Sequence, residues 1–260
     1  MTAFKGLLIK EWREVVRSYK ILWIPIVFIL LGVSDPLTNY YMEDIFKLVG
    51  NIPEGLAQLM PQYTPYEIIV LSVGQFQLIG LIVLVAAFIG TVSRERKNGT
   101  AALIYVRPIK SYQLILSKWL VASFIGIISA VAGFISSLYY TVILFGEVDY
   151  GAFLQTVGIY CLWIMLCMAL VVMLSATFDT VIAATIAFIL TQLGQYLDSF
   201  LDIFGTYSPY KLSNYGLSLL NQPVESSTLT ITIIFSFMLT VLFLLIGSYT
   251  SKLNWTKVKL

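Results

Sequence analysis

Histidine is absent from the 260-residue chain, and only two cysteines are present, Cys161 and Cys167. Without histidine the chain lacks the commonest general base and the commonest metal ligand, so no Ser-His-Asp, Cys-His or His-Glu-x-x-His arrangement can be built. The cysteines stand about 240° apart around one predicted helix, which excludes a disulfide or a shared metal and leaves them as packing residues. We therefore expect no enzyme activity, no metal and no cofactor in this chain.

Charged residues are scarce as well, at 12% of the chain, whereas 58% of the residues are hydrophobic. Mean hydropathy is +0.87. Soluble proteins carry about 25% charged residues, so this composition indicates a polytopic membrane protein. A helix needs roughly 20 residues to cross about 30 Å of hydrocarbon. Five charge-free stretches are close to that length or longer: 68–92, 119–145, 152–176, 181–197 and 229–250.

A sixth apolar stretch, residues 21–33, is short enough to be a surface or re-entrant segment. If it did not cross, the basic first twenty residues would lie opposite the basic loop at 93–118, against the positive-inside rule. We therefore predict a first span at about 20–37, with Lys20 snorkelling at one end and a helix that can continue past Asp35.

Charge asymmetry sets the predicted topology, with both termini inside. Five Lys and Arg precede the first span, six lie in the loop at 93–118 and three lie in the tail, so only Lys47 and Lys211 fall outside. Ten acidic residues lie in the outer segments, which include 38–67 and 198–228. The chain is thus predicted to be one all-helical, multi-pass transmembrane domain over residues 1–260.

Residues 1–19 are predicted to form an amphipathic helix along the inner leaflet, and their long basic start does not resemble a cleaved signal peptide. Two interpretations stay open: a topogenic anchor, or a lever that touches a cytosolic partner. The apolar stripe of this helix consists of Phe4, Leu7, Leu8, Trp12, Val15, Val16 and Tyr19.

The sequence also shows no feature that could supply energy for transport. Ion-coupled carriers usually place a charged residue inside the membrane, and the six charge-free stretches contain none. A Gly-x-x-x-x-Gly-Lys-Ser/Thr phosphate loop is absent too, so the chain has no obvious means of hydrolysing a nucleotide. If the protein pumps, another polypeptide supplies the power.

The loop at 93–118 is where such a partner would act. Asn98 and Gly99 break the long second helix, Thr100 can cap a new short helix, and Pro108 ends it. The alternative interpretation is a basic loop whose charges serve only topology.

This loop closely resembles the one between the second and third spans of type 2 ABC transporter permeases. The matching features are an acidic residue near the end of span two, a Gly-Thr helix start, a later Pro-Ile and a Lys before span three: Glu95, Gly99-Thr100, Pro108-Ile109 and Lys118. The family often carries a Lys-Glu pair on its N-terminal helix, here Lys10-Glu11 followed by Trp12 and Arg13. The resemblance extends over nearly the whole chain.

The resemblance implies a coupling helix at about 100–106 that sits in a groove on a cytosolic ATPase. The implied ATPase-contacting residues are Glu95, Asn98, Gly99, Thr100, Ala101, Leu103, Tyr105, Arg107 and Pro108, with Lys10, Glu11, Trp12 and Arg13 alongside. Family members combine two permease subunits, identical or similar, with an ATPase dimer that binds ATP and Mg. They mostly export lipids, glycans, peptides or drugs, here across a bacterial cytoplasmic (inner) membrane. Nucleic acid is not an expected partner.

Four glutamines within the spans are candidate substrate contacts. Gln192 and Gln195 share one helix face, whereas Gln75 and Gln77 point to different sides of the second span. Polar residues in spans also hydrogen-bond neighbouring helices, and that alternative stays open. Because no buried charge lines the spans, the expected substrate is amphipathic or lipid-like.

The segment before the last span and the third span each carry a further recognisable pattern. Residues 198–228 mix Pro and Gly with apolar residues, which predicts a segment that dips into the membrane, like the outer hairpin of related permeases. The third span carries two small-residue ridges that pack within one subunit or between two: Ala122, Gly126 and Ala130, and Ser129, Gly133 and Ser137. Alternatives to a permease are an ATP-independent channel, a scaffold or sensor, and a membrane enzyme.

Overall fold

The computed structural model describes residues 2–42, 44–45, 63–98, 110–201, 205–220 and 226–256. Within these ranges every regular element is helical. Six helices are long and apolar enough to cross a membrane, and we number them span 1 to span 6: Lys20–Tyr40, Pro65–Lys97, Ser111–Phe145, Tyr150–Thr177, Thr180–Asp198 and Ser227–Asn254. The predicted all-helical architecture with six spans is confirmed, while the side of each loop remains a prediction.

Several helices run past the charge-free stretches. Span 3 has 35 residues and begins at Ser111, so Lys118 lies inside the helix instead of before it. At about 1.5 Å per residue this helix is longer than the roughly 30 Å hydrocarbon layer. Span 2 continues as a short helix, Ser93–Lys97, and ends at Asn98, the predicted break point.

Asp35 corrects one expectation. It lies inside the helix of span 1, Lys20–Tyr40, so the membrane-crossing helices are not free of acidic residues. The helix accommodates the carboxylate because Gln75 Nε2 of span 2 donates to Asp35 Oδ1 at 2.7 Å. Gln75 Oε1 in turn accepts from Ser34 Oγ at 3.0 Å. Paired polar groups lower the cost of placing a charge-bearing side chain in a span.

Span 4 forms the centre of the bundle. In its most hydrophobic part 72% of the residues are buried within the subunit, compared with 17% for span 6. Both small-residue ridges of span 3 are buried in the same subunit. Gly32 of span 1 approaches the backbone of Gly133 so closely that an added Cβ would lie 2.3 Å from its carbonyl oxygen. The ridges thus serve close packing within one chain.

Two π-helical segments interrupt spans 2 and 5. They cover Phe76–Gly80 and Ile189–Leu193. In a π-helix the backbone bonds reach i+5, which introduces a local bulge and frequently marks a functional site. Sequence periodicity did not indicate either segment.

The N-terminal helix, Thr2–Arg17, is joined to span 1 by a tight turn in which Tyr19 has φ 55. It packs mainly on span 3. Leu7 and Val15 face the protein, whereas Trp12, Val16 and Tyr19 are exposed. The predicted stripe therefore divides into a protein-facing side and an outward side.

The segment between spans 5 and 6 folds onto span 4. Short 3-10 helices at Gly205–Tyr207 and Pro209–Lys211 precede a helix at Leu212–Ser218. Thr156 Oγ1 of span 4 donates to Gly216 O at 2.7 Å. This agrees with a protein-shielded hairpin. The segment between spans 1 and 2 is described only near its two ends: Met42, Asp44 and Ile45 are helical, and span 2 begins at Pro65.

Candidate functional site

Two of the predicted ATPase-contacting loop residues, Glu95 and Asn98, are described by the structure. The short helix predicted at about 100–106 falls outside the described residues, and so do the other residues of the prediction: Gly99, Thr100, Ala101, Leu103, Tyr105, Arg107 and Pro108. The described part of the loop consists of its two ends, at the last turn of span 2 and the first turns of span 3.

Those two ends meet the N-terminal helix in a four-residue ion cluster, formed by Lys10, Glu11, Glu95 and Lys118. Lys118 Nζ lies 2.9 Å from Glu11 Oε1 and 2.9 Å from Glu95 Oε1. Lys10 Nζ lies 3.0 Å from Glu11 Oε1 and also donates to Glu95 Oε1. The Lys10-Glu11 pair, Glu95 and Lys118, which are separate motifs in the sequence, are thus in direct contact in the structure.

Burial makes these contacts obligatory. The side chain of Lys118 is 0% exposed, that of Glu11 4% and that of Glu95 12%. An ammonium group withdrawn from water is strongly unfavourable unless carboxylates surround it. Two acidic and two basic residues make the cluster neutral. Glu95 Oε2 is buried and accepts no hydrogen bond from any residue in the described ranges.

The pKa values follow from this arrangement. Burial alone would raise the pKa of Glu11, but the charges of Lys118 and Lys10 outweigh it and hold that pKa below its usual value. Burial would likewise lower the pKa of Lys10, yet the carboxylates of Glu11 and Glu95 raise it. Both groups are therefore charged at neutral pH.

Glu14 is a third carboxylate near the cluster. Its ligand atom lies within 4.8 Å of those of Glu11 and Glu95, a spacing that could hold a metal ion. Glu14 itself is exposed, whereas the two other carboxylates are already bonded to lysine ammonium groups. The ammonium groups of Lys10 and Lys118 already supply the positive charge beside these carboxylates, so this arrangement favours an ion-pair network.

Arg96 binds the same end of span 2 to the connection between spans 4 and 5. Its guanidinium donates to Ala176 O at 3.1 Å and Phe178 O at 2.8 Å, and it lies 3.2 Å from Asp179. This contact was not predicted from the sequence. Asp179, an isolated acidic residue on the predicted inner side, was the one feature that could have indicated a basic partner there.

The remaining predicted residues of the N-terminal helix take other positions. Trp12 is exposed at 37%, and its ring packs 5.7 Å from that of Phe124 in span 3. Arg13 is exposed. Glu11, by contrast, shares the buried face with Leu7 and Val15, at i,i+4 spacing on either side. That spacing was the signal for its burial.

The four glutamines divide into two places. Gln75 belongs to the contact with Asp35, while Gln77, Gln192 and Gln195 meet between spans 2 and 5. Gln195 Nε2 donates to Gln77 Oε1 at 2.7 Å, and Gln192 Nε2 donates to Gln77 O at 3.0 Å. Gln77 Nε2 donates to Ser213 Oγ of the hairpin. All four glutamines make hydrogen bonds to neighbouring helices, and their contact with a substrate stays a prediction.

Two cavities flank the π-helix of span 5. A polar cavity of about 210 Å³ lies on the side of Gln192 and Gln195, towards span 2. An apolar cavity of about 250 Å³ lies on the side of Leu190, between spans 4, 5 and 6 and the hairpin. The hydroxyl of Tyr210 at the apolar cavity donates to Leu190 O at 2.8 Å.

Comparison with known proteins gives an independent result. A family model described as ABC-2 family transporter protein matches residues 6–201. That range contains the four-residue ion cluster and spans 1 to 5. The chain is also similar to an uncharacterized transmembrane protein, YxlG, of Bacillus subtilis (strain 168), at 37% identity over 164 residues. The alignment covers 63% of this chain and 64% of that relative.

The family match extends over most of the chain and includes both ends of the predicted coupling loop, which confirms the resemblance to type 2 ABC permeases. The chain belongs to the ABC-2 family of transporter proteins.

Proposed function

We propose that this chain is the membrane-spanning permease subunit of an ATP-driven exporter in the bacterial cytoplasmic membrane. A separate cytosolic ATPase dimer binds ATP and Mg and supplies the energy. The observation that carries this proposal is the four-residue ion cluster. It joins the three elements that the family resemblance sets against the ATPase: the N-terminal helix, the end of span 2 and the start of span 3.

The cluster would transmit force. When the ATPase dimer closes, it pushes the loop that follows Asn98, and Glu95 lies within one helical turn of that point. Lys118 and Lys10 then pass the displacement to span 3 and to the N-terminal helix, because buried ion pairs separate only at a large cost. On this account the N-terminal helix is a lever.

The working assembly would hold two permease subunits, identical or similar, and two ATPase subunits. This chain contributes no catalytic residue to ATP hydrolysis. Its part is to form the path through the bilayer and to receive the ATPase movement. Conformational coupling of this kind is usually worth about 1–3 kcal/mol.

The proposed substrate is amphipathic: lipid-like, peptide-like or drug-like. The π-helix of span 5 has a polar cavity on one side and an apolar cavity on the other. A molecule with one polar and one apolar part fits such surroundings better than a bare ion, whose charge would need a charged partner.

Reconstitution tests the proposal. The chain would be purified in proteoliposomes with the ATP-binding subunit encoded beside it, and ATP hydrolysis would be measured with and without the permease. We expect the permease to change the hydrolysis rate. Glu95→Gln or Gly99→Pro should reduce that change about fivefold or more, in line with typical coupling energies.

Glu14→Gln is the matched control, because Glu14 is an exposed carboxylate on the same helix as Glu11. Its coupling should equal that of the wild type. Unchanged coupling in both Glu95→Gln and Gly99→Pro would contradict the proposal that the loop at 93–118 receives the ATPase movement. Substrate movement without any ATPase would favour the ATP-independent channel instead.

A further inference from the structure

Several polar side-chain atoms that line the cavity between spans 2 and 5 form no hydrogen bond within the described residues. Gln192 is only 5% exposed, and its amide nitrogen donates to the carbonyl oxygens of Gln77 and Leu78, but its Oε1 accepts no hydrogen bond from the residues that the structure describes. The amide nitrogen of Gln195 likewise donates a hydrogen bond, to Gln77 Oε1. Asn214 of the hairpin lines the same cavity, and its carboxamide makes no hydrogen bond within the described residues.

Water can bond to these polar atoms while the cavity is empty. A molecule that fills the cavity must replace those hydrogen bonds, because a polar group left without a partner is unfavourable. Gln192 lines the cavity, and its hydrogen bonds to the described residues use only the amide nitrogen, which leaves Oε1 available as an acceptor. The cavity therefore presents several open positions for hydrogen bonds within the span region.

The backbone around the cavity supports the same conclusion. Gln77 and Leu78 lie in the π-helix of span 2, and Gln192 lies in the π-helix of span 5. The bond from Gln192 Nε2 to Gln77 O thus links the two irregular segments directly. A bulge in each of two facing helices opens space where regular helices would pack.

Among the described residues the lining contains no charged side chain: its polar members are the carboxamides of Gln77, Gln192, Gln195 and Asn214 and the phenol of Tyr196. A phosphate, carboxylate or ammonium group would enter without a charge partner, at a high cost. A neutral amide or hydroxyl group can both donate to and accept from these side chains.

We infer that this cavity binds the uncharged, hydrogen-bonding head group of an amphipathic molecule. The inference rests on the proposed function, since it names the class of substrate head group. Its size agrees: a cavity of about 150 Å³ holds benzene, and this one has about 210 Å³. A head group of one small ring, or of one or two amides, fits.

Binding to the full chain in lipid nanodiscs, with no ATPase present, tests the inference. Three probes share a dodecyl chain and differ in head group: N-dodecylacetamide, dodecyl phosphate and dodecylamine, with uptake by empty nanodiscs subtracted. We expect the neutral amide to bind at least about tenfold more tightly than either charged probe, the factor that one or two well-placed hydrogen bonds provide.

Gly74→Leu fills the cavity without removing a hydrogen bond, because Gly74 lines it and a Cβ added there meets no atom within 4 Å. It should weaken amide binding about tenfold while thermal unfolding stays like that of the wild type. Gly158→Leu is the matched control, since Gly158 is equally open but lies outside this cavity, and it should bind normally.

Equal affinity for the three probes, or undiminished amide binding by Gly74→Leu, would overturn the head-group site. Because the assay contains no ATPase, such a failure leaves the ATPase partnership standing. A permease that binds the amide but fails to couple to the ATPase would instead refute the proposed function alone.

Discussion

Lys118 has a completely buried side chain, and its ammonium group has two carboxylates at 2.9 Å. Removing one carboxylate leaves the positive charge in the interior with half of its compensation. Removing an exposed carboxylate nearby has no such consequence. Individual charges at this site therefore differ widely in their contribution to stability, although their sequence positions look alike.

Glu11→Gln tests this difference. We expect a loss of about 2–3 kcal/mol at pH 7, since hydrogen bonds to charged groups contribute about 1.5–3 kcal/mol and the partner charge stays buried. Thermal unfolding in detergent micelles measures the effect. The control Glu14→Gln, at an exposed position, should lie within about 0.5 kcal/mol of the wild type.

The pH profile gives this prediction a signature. Lys118 and Lys10 hold the pKa of Glu11 below its usual value of 4.5. The stabilisation is therefore present above pH 4.5 and is lost as the pH falls through the lowered pKa. The difference between the wild type and Glu11→Gln should shrink below pH 4.5. A difference that is constant with pH would contradict the ion-pair account.

Helix packing depends on small residues at defined positions. A Cβ at Gly32 would lie 2.3 Å from Gly133 O and 2.5 Å from Ser136 Oγ. Spans 1 and 3 would have to separate, so Gly32→Ala should cost about 1–3 kcal/mol, the usual effect of overpacking. Unfolding midpoints measure it.

Gly158→Ala is the control, because its added Cβ meets nothing within 4 Å. Alanine is the better helix former, so this change should be neutral or slightly stabilising. Equal midpoints for the two variants would show that spans 1 and 3 do not approach as closely as described.

The six spans and the N-terminal helix were predictable because hydrophobic length and charge pattern are local properties of the sequence. The end of span 2 at Asn98 was predictable for the same reason, from the Asn-Gly pair. The predicted coupling helix lies outside the described residues and stays a prediction. Family resemblance supplied the list of cluster residues, but as parts of separate motifs.

Other features depend on contacts between distant residues. Lys10 meets Glu95 across 85 positions, and Lys118 meets Glu11 across 107. Asp35 of span 1 accepts a hydrogen bond from Gln75 of span 2, 40 positions away. The two π-helices leave no hydropathy signal, since an extra residue in a turn hardly changes composition. A sequence read one span at a time does not show such pairings.

At the scale of the whole molecule, the ion cluster and the polar cavity lie in different parts of span 2. Glu95 is at one end of that helix, and Gln77 is 18 residues away, about 27 Å along a helix axis. A movement of the loop after Asn98 would reach the cavity through the helices Ser93–Lys97 and Leu81–Phe88 of span 2 and the turn between them. This layout suits a permease that is driven from one side of the membrane.

The direct test of the account is which side of the membrane carries the loop at 93–118. Cys161 and Cys167 would be replaced by Ser, and Ser111→Cys would be treated with a membrane-impermeant maleimide. Glu147→Cys, exposed between spans 3 and 4, serves as the outer reference. We predict labelling of Ser111→Cys in inverted vesicles and not in intact cells, with the reverse for Glu147→Cys. Labelling of Ser111→Cys from the outside of intact cells would contradict contact with a cytosolic ATPase.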